Sequence, residues 1–122
     1  MHGNLRQHRI LWRHKKYFAL LNLAFENWEP GEIDSKYGKP MKNFDRFRKD
    51  VAILTGHYDL VIRVDGSSRP EAKSISFAKM DQSEFEGLYS KTIDLLVEKI
   101  YGKDNMTPEQ MEKLVMEFIR FS

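Results

Sequence analysis

Along most of this chain apolar residues recur every third or fourth position, but between His57 and Val64 the period falls to two. There Tyr58, Leu60, Ile62 and Val64 alternate with polar Asp59 and Arg63, and Val61 interrupts the pattern. A period of two belongs to a strand, and one between three and four to a helix. A strand must pair its backbone groups with a neighbour. Asp65-Gly66-Ser67-Ser68 is turn chemistry, and Ser74-Ile75-Ser76-Phe77 alternates beyond it. The expected sheet is an antiparallel hairpin of about residues 57–64 and 72–78. A lone hairpin is marginal in water. It has to pack on helices or pair its edge with another copy, and the second option makes a homodimer an expectation.

Helical patterns bracket the hairpin. Arg9–Trp28 carries Leu11, Phe18, Leu21 and Phe25 as an apolar stripe and ends at Pro30-Gly31. Residues 29–42 read as a loop. Asn43 is placed to cap a helix over Phe44–Leu54, with Phe44, Phe47, Val51 and Leu54 on one face and Gly56 closing it. After the hairpin, Asp81 and Glu84 form a capping-box pair ahead of a helix over about 82–101. Thr107-Pro108 with Gln110 starts another over about 108–120. The fold class is α+β: two N-terminal helices, a β-hairpin and two C-terminal helices, in a single domain over residues 1–122.

A 122-residue chain with 41% hydrophobic residues has enough core for one such domain without staples. The chain has no cysteine, which excludes disulfides and thiolate metal sites. No apolar run approaches the roughly 20 residues that span a bilayer, and no secretory h-region precedes a cleavage site, so no membrane role is expected.

Charge is distributed unevenly. Met1 to Lys16 holds five basic residues and no acid, whereas the chain from Asp81 onward is its acidic portion. On a helix, Arg6, Arg9, Arg13 and Lys16 follow one another at spacings of three and four and share a face. With Lys15, such a row suits phosphate neutralisation and counterion release, and Trp12 supplies a ring for stacking on a base. Lys42 and Arg46, among the basic residues between Lys36 and Lys49, extend the candidate patch. The competing structural role for these cations is a solvated helix face paired with the acidic C-terminal helices.

Chemistry is harder to find. The chain has no phosphate-binding glycine loop, no His-Glu-x-x-His and no Gly-x-Ser-x-Gly. His2, His8, His14 and His57 are too scattered to read as a metal site, and no cofactor is expected. Asp59 on the first strand and Glu71-Ala72-Lys73 opening the second resemble the acid plus Glu-x-Lys pattern of magnesium-dependent nucleases. The alternative is an acid and a base on the hairpin's wet face. No catalytic residue is assigned, and binding is the expected activity.

Two stretches resemble a family of uncharacterised phage and prophage proteins. They are Arg13-His14-Lys15-Lys16-Tyr17-Phe18-Ala19-Leu20-Leu21-Asn22-Leu23-Ala24-Phe25-Glu26 and Ala72-Lys73-Ser74-Ile75-Ser76-Phe77-Ala78-Lys79-Met80-Asp81, the latter followed by Glu84-Phe85 and Leu88-Tyr89. The resemblance spans most of residues 6–121. Many members of that family carry an additional N-terminal segment not present in this sequence, and no function residing there is carried over. More distantly, the layout is similar to the Orf/NinB phage recombination mediators: a basic stretch entering an aromatic-rich helix, then a hairpin, then an acid-plus-Phe helix start. That likeness implies a DNA-binding accessory of recombination or replication in the host cytoplasm, with single-stranded DNA as the favoured partner, and a dimer. Against it stands a phage anti-defence or host-takeover protein that binds a host protein, for example a CRISPR inhibitor.

Overall fold

A computed structural model describes residues 5–32 and 34–121. The elements run α1 (Leu5–Asn27), α2 (Phe44–Leu54), β1 (Tyr58–Ile62), β2 (Ser68–Ala72), a 3-10 turn at Phe77–Lys79, α3 (Gln82–Ile100) and α4 (Pro108–Arg120). This is the expected α+β order. No helix among the described residues is long and apolar enough to cross a membrane.

The helix limits follow from their caps. Asn43 accepts a hydrogen bond from the Arg46 N–H to start α2. At its other end the Gly56 N–H bonds the Ile53 carbonyl and the His57 N–H bonds that of Ala52. That double closure needs a left-handed residue, supplied by Gly56 at φ +96°. Asp81 with Glu84, and Thr107 with Gln110, form reciprocal capping boxes on α3 and α4. Replacing Thr107 with alanine removes the acceptor for the Gln110 N–H, 3.1 Å away. Because α4 anchors the core through Met111 and Val115, the loss is felt globally. The expected cost is about 1 kcal/mol, seen as a lower urea midpoint with unchanged m-value.

α1 runs through the middle of the core. It packs against α3 and α4, which also pack against each other, and its far end meets α2. Tyr17, Leu20, Leu21, Leu96, Met111 and Val115 are almost wholly inaccessible. Phe25 of α1 and Trp28, just past its end, interlock with Phe44 and Phe47 of α2 at centroid separations of 5.3–6.4 Å.

Three expectations are corrected. The second strand is Ser68–Ala72, not 72–78, because the tight turn at Gly66 (φ +88°) pairs Tyr58 with Ala72 and Ile62 with Ser68. Pro70 is tolerated there because its missing N–H lies on the side of β2 turned away from β1. The alternating residues beyond it serve as plugs instead: Phe77 is buried against Tyr17 and Phe85, with Ile75 at the core's margin. Next, Leu11 and Leu54, read as core positions, are exposed. Finally, α1 begins at Leu5, four residues ahead of the expected start at Arg9.

Candidate nucleic-acid interface

The N-terminal half of α1 forms one wall of a groove of about 340 Å³ through Arg9, Trp12, Arg13 and Lys16, which share a face as their spacing requires. α3 supplies the opposite wall with Gln82, Phe85 and Tyr89, and Pro108 and Glu112 of α4 close one end.

The four cations of the expected row have different fates. Arg13 is only 7% exposed. Its guanidinium donates to the carbonyl oxygens of Phe77 (3.2 Å) and Met80 (2.9 Å) and to Gln82 Oε1 (2.9 Å), and lies 5.5 Å from the Phe85 ring centroid. It ties α1 to the start of α3 and is not available to a phosphate. Lys16 is half-committed. Its Nζ sits 2.8 Å from the Glu112 carboxylate and 4.5 Å from the Tyr89 ring centroid. Tyr89 donates its hydroxyl to the same carboxylate at 2.6 Å. Burial first, then this bond and the carboxylate's charge, push the Tyr89 phenol far above its ordinary value. Arg6 makes one long contact, 3.4 Å, to the Ala78 carbonyl. Arg9 and Lys15 are exposed, and their side chains make no hydrogen bond or ion pair with the described residues. Trp12, 41% exposed, stands at the groove's mouth between Arg9 and Lys16.

The second basic cluster does not join this face. Lys42 Nζ binds the carbonyls of Phe25 (2.6 Å) and Trp28 (2.9 Å), satisfying the open end of α1. Arg46 pairs with Asp50 at 3.0 Å, and Arg48 and Lys49 both pair with Asp45. Those two cations hold the Asp45 carboxyl below its usual range. With about 1.5 Å of rise per residue, Phe25 lies roughly 24 Å along α1 from Arg9.

The nuclease-like residues do come together, on the exposed hairpin. Asp59 faces Glu71 across the strands, Lys73 Nζ lies 3.4 Å from Asp59, and Arg69 bonds Glu71 at 2.9 Å. Each carboxylate is thus matched by a cation in open solvent. Among the described residues no group of three or more His, Asp or Glu side chains is placed to hold a metal ion. His14 stacks on Phe18 at 4.5 Å, and His57 buries an unpartnered Nδ1. His8 is exposed. His2 lies outside the described residues.

Gln82, Phe85, Tyr89 and Glu112, the groove's other wall, were not singled out from sequence. Phe85 and Tyr89 enter there only among the residues that carry the family resemblance. The i, i+4 spacing of two aromatic residues with a carboxyl elsewhere to receive the phenol is too common to announce a groove.

A family model described as "Protein of unknown function (DUF1367)" matches residues 32–121. The match takes in α2, the hairpin, α3 and α4, including the Ser-Ile-Ser-Phe-Ala-x-Met-Asp string, and leaves α1 ahead of it. No curated protein and no solved structure matches the chain.

Proposed function

We propose that this chain, which belongs to the DUF1367 family, is a phage-encoded, non-enzymatic DNA-binding accessory of recombination or replication, and that it holds single-stranded DNA along the N-terminal half of α1. The observation that carries the reading is Trp12, half-exposed at the mouth of a groove and flanked by the unpaired Arg9. A base stacked on an exposed indole contributes about 1–3 kcal/mol. Arg6, Arg9 and Lys15 add phosphate contacts, with Lys16 reaching the same strand if it exchanges Glu112 for a phosphate oxygen. Arg13, Lys42 and Arg46, bound within the fold, drop out of the contact set. The distant likeness to the Orf/NinB mediators points the same way.

Fluorescence anisotropy with labelled single-stranded and duplex oligonucleotides over a salt series tests this. Replacing Arg6, Arg9 and Lys15 together with alanine should reduce the slope of log affinity against log salt by about 2 for single strands. Trp12→Ala should weaken binding about tenfold or more without changing that slope. Binding that is indifferent to both changes rules the assignment out. A second reading, a host-protein binder, draws on Leu5 and Leu11, two large apolar side chains left exposed on the same helix. Absence of DNA binding at low salt makes it the favoured one.

A further inference from the structure

The hairpin presents the opposite of what amphipathic patterning requires. The apolar residues of β1 face solvent, with Leu60 at 69% and Ile62 at 82% exposure. Its backbone is equally open. Arg63 N–H bonds the Ser67 carbonyl, and Lys73 N–H bonds that of His57. In an antiparallel ladder this phase turns the odd-numbered backbone groups of β1 towards β2 and those of Tyr58, Leu60 and Ile62 outward. The two edges are not equivalent. β2 carries Pro70 at its centre, has no N–H to offer there, and packs against α2. β1 has no such block.

We infer that the free edge of β1 is the docking site for β1 of a second copy of this chain, joined antiparallel about a two-fold axis at Val61 into a four-stranded sheet. The register follows from side-chain chemistry. Centred on Val61, the pairing sets Asp59 opposite Arg63 of the second copy, twice by symmetry, and Leu60 opposite Ile62, also twice. Centred on Asp59, it would set two like charges face to face, which is unfavourable. Centred on Leu60, it would leave Asp59 opposite Val61. Within one chain the side chain of Arg63 makes no ion pair with the described residues, and Asp59 is held only by Lys73 at 3.4 Å, so both are free to pair across the axis. The backbone groups of Leu60 and Ile62 supply about four new hydrogen bonds. Their side chains merge with those of the second copy into one apolar face. An interface of this size falls at the small, reversible end of the range, so the association depends on concentration. It holds whatever ligand α1 takes.

Sedimentation velocity from about 1 to 200 µM of the full chain reads this directly, a span suited to a small interface. A monomer–dimer equilibrium is expected. Arg63→Asp, which opposes Asp59 of the other copy with a second carboxylate at both symmetric contacts, should weaken the dimer about tenfold or more. The charge-swapped double variant D59R/R63D should bring it back to near wild-type strength. Leu60→Pro, which removes an outward N–H and spares the bonds to β2, should abolish it, and circular dichroism reports whether that variant is folded. A wild-type chain that stays monomeric throughout overturns the inference and leaves the apolar face to a different protein. A dimer unmoved by R63D, or one that D59R/R63D fails to restore, overturns it as well. Both substitutions are on an exposed hairpin, so their readout does not depend on the Leu60 variant folding.

Discussion

Replacing Arg13 with methionine is expected to lower the unfolding free energy by about 3 kcal/mol and the melting temperature by about 10 °C or more. The stem of the side chain survives this change, so what is removed is the guanidinium and its three bonds to Phe77, Met80 and Gln82. Hydrogen bonds from a charged donor contribute about 1.5–3 kcal/mol each, and a carbonyl left buried without a donor costs as much again. The bond to Phe77 is fully buried, and the other two are partly so. The effect therefore falls well short of the sum of the three. Arg13→Lys should recover only part of the loss, because a single ammonium lacks the planar fork that reaches three acceptors at once. Urea unfolding of the two variants checks this. An unfolding free energy within about 0.5 kcal/mol of wild type would show that the anchor is dispensable. The DNA salt slope, by contrast, should not change on Arg13 replacement, which separates this residue from Arg9 beside it.

Alkaline pH should unfold the protein through its buried phenols. Burial pushes Tyr17 up to about 12, and raises Tyr89 and Tyr101 as well. The three side chains are 1%, 7% and 6% exposed. Below pH 10 folded and unfolded chains alike keep these protons, and stability does not depend on them. Above it the unfolded phenols ionise while the folded ones do not. The unfolded state gains, and stability falls as pH rises through the folded values. Tyr17 alone accounts for a loss of about 2 kcal/mol between pH 10 and 12. Tyrosinate absorbance followed alongside helical circular dichroism should show late-titrating phenols appearing together with loss of helix. Tyr17→Phe should postpone that transition. It should cost little at neutral pH, because the hydroxyl it removes has no well-formed hydrogen bond and at most a weak contact with Thr92. Titration of all the tyrosines in one step at ordinary values, with the helices intact, would contradict it.

The parts of this fold that could be read from the chain are those governed by local chemistry. Asn43, Asp81 and Thr107 cap the helices where capping residues should, and α2 and α4 begin and end at the expected residues. The second strand lies ahead of its expected place because Ser74-Ile75-Ser76-Phe77 alternates as a strand does, whereas Ser68–Ala72 shows no apolar alternation and carries Pro70, tolerated because its N–H position faces outward. The burial of the hairpin could not be read at all. Period two says that one face is apolar, not that the face is covered. The basic row was legible as a row, since helical spacing dictates it. Which cation is free depends on partners distant in sequence. Arg13 is held by residues 64 to 69 positions away, and Lys16 is held by Glu112. No window along the chain contains both members of such a pair.

That α1 packs against α3 and α4 also bears on how the chain is made. α1 leaves the ribosome well ahead of α4, the helix carrying Met111 and Val115. Roughly 90 residues separate Leu20 from the start of that helix, which at about 5–20 residues per second is a delay on the order of 5–20 s. Throughout that interval Leu20, Leu21 and Ala24, all wholly buried in the finished protein, have only part of their cover. Until α4 emerges the nascent chain is expected to rely on holding factors, and a message truncated before Thr107 should yield an aggregating product.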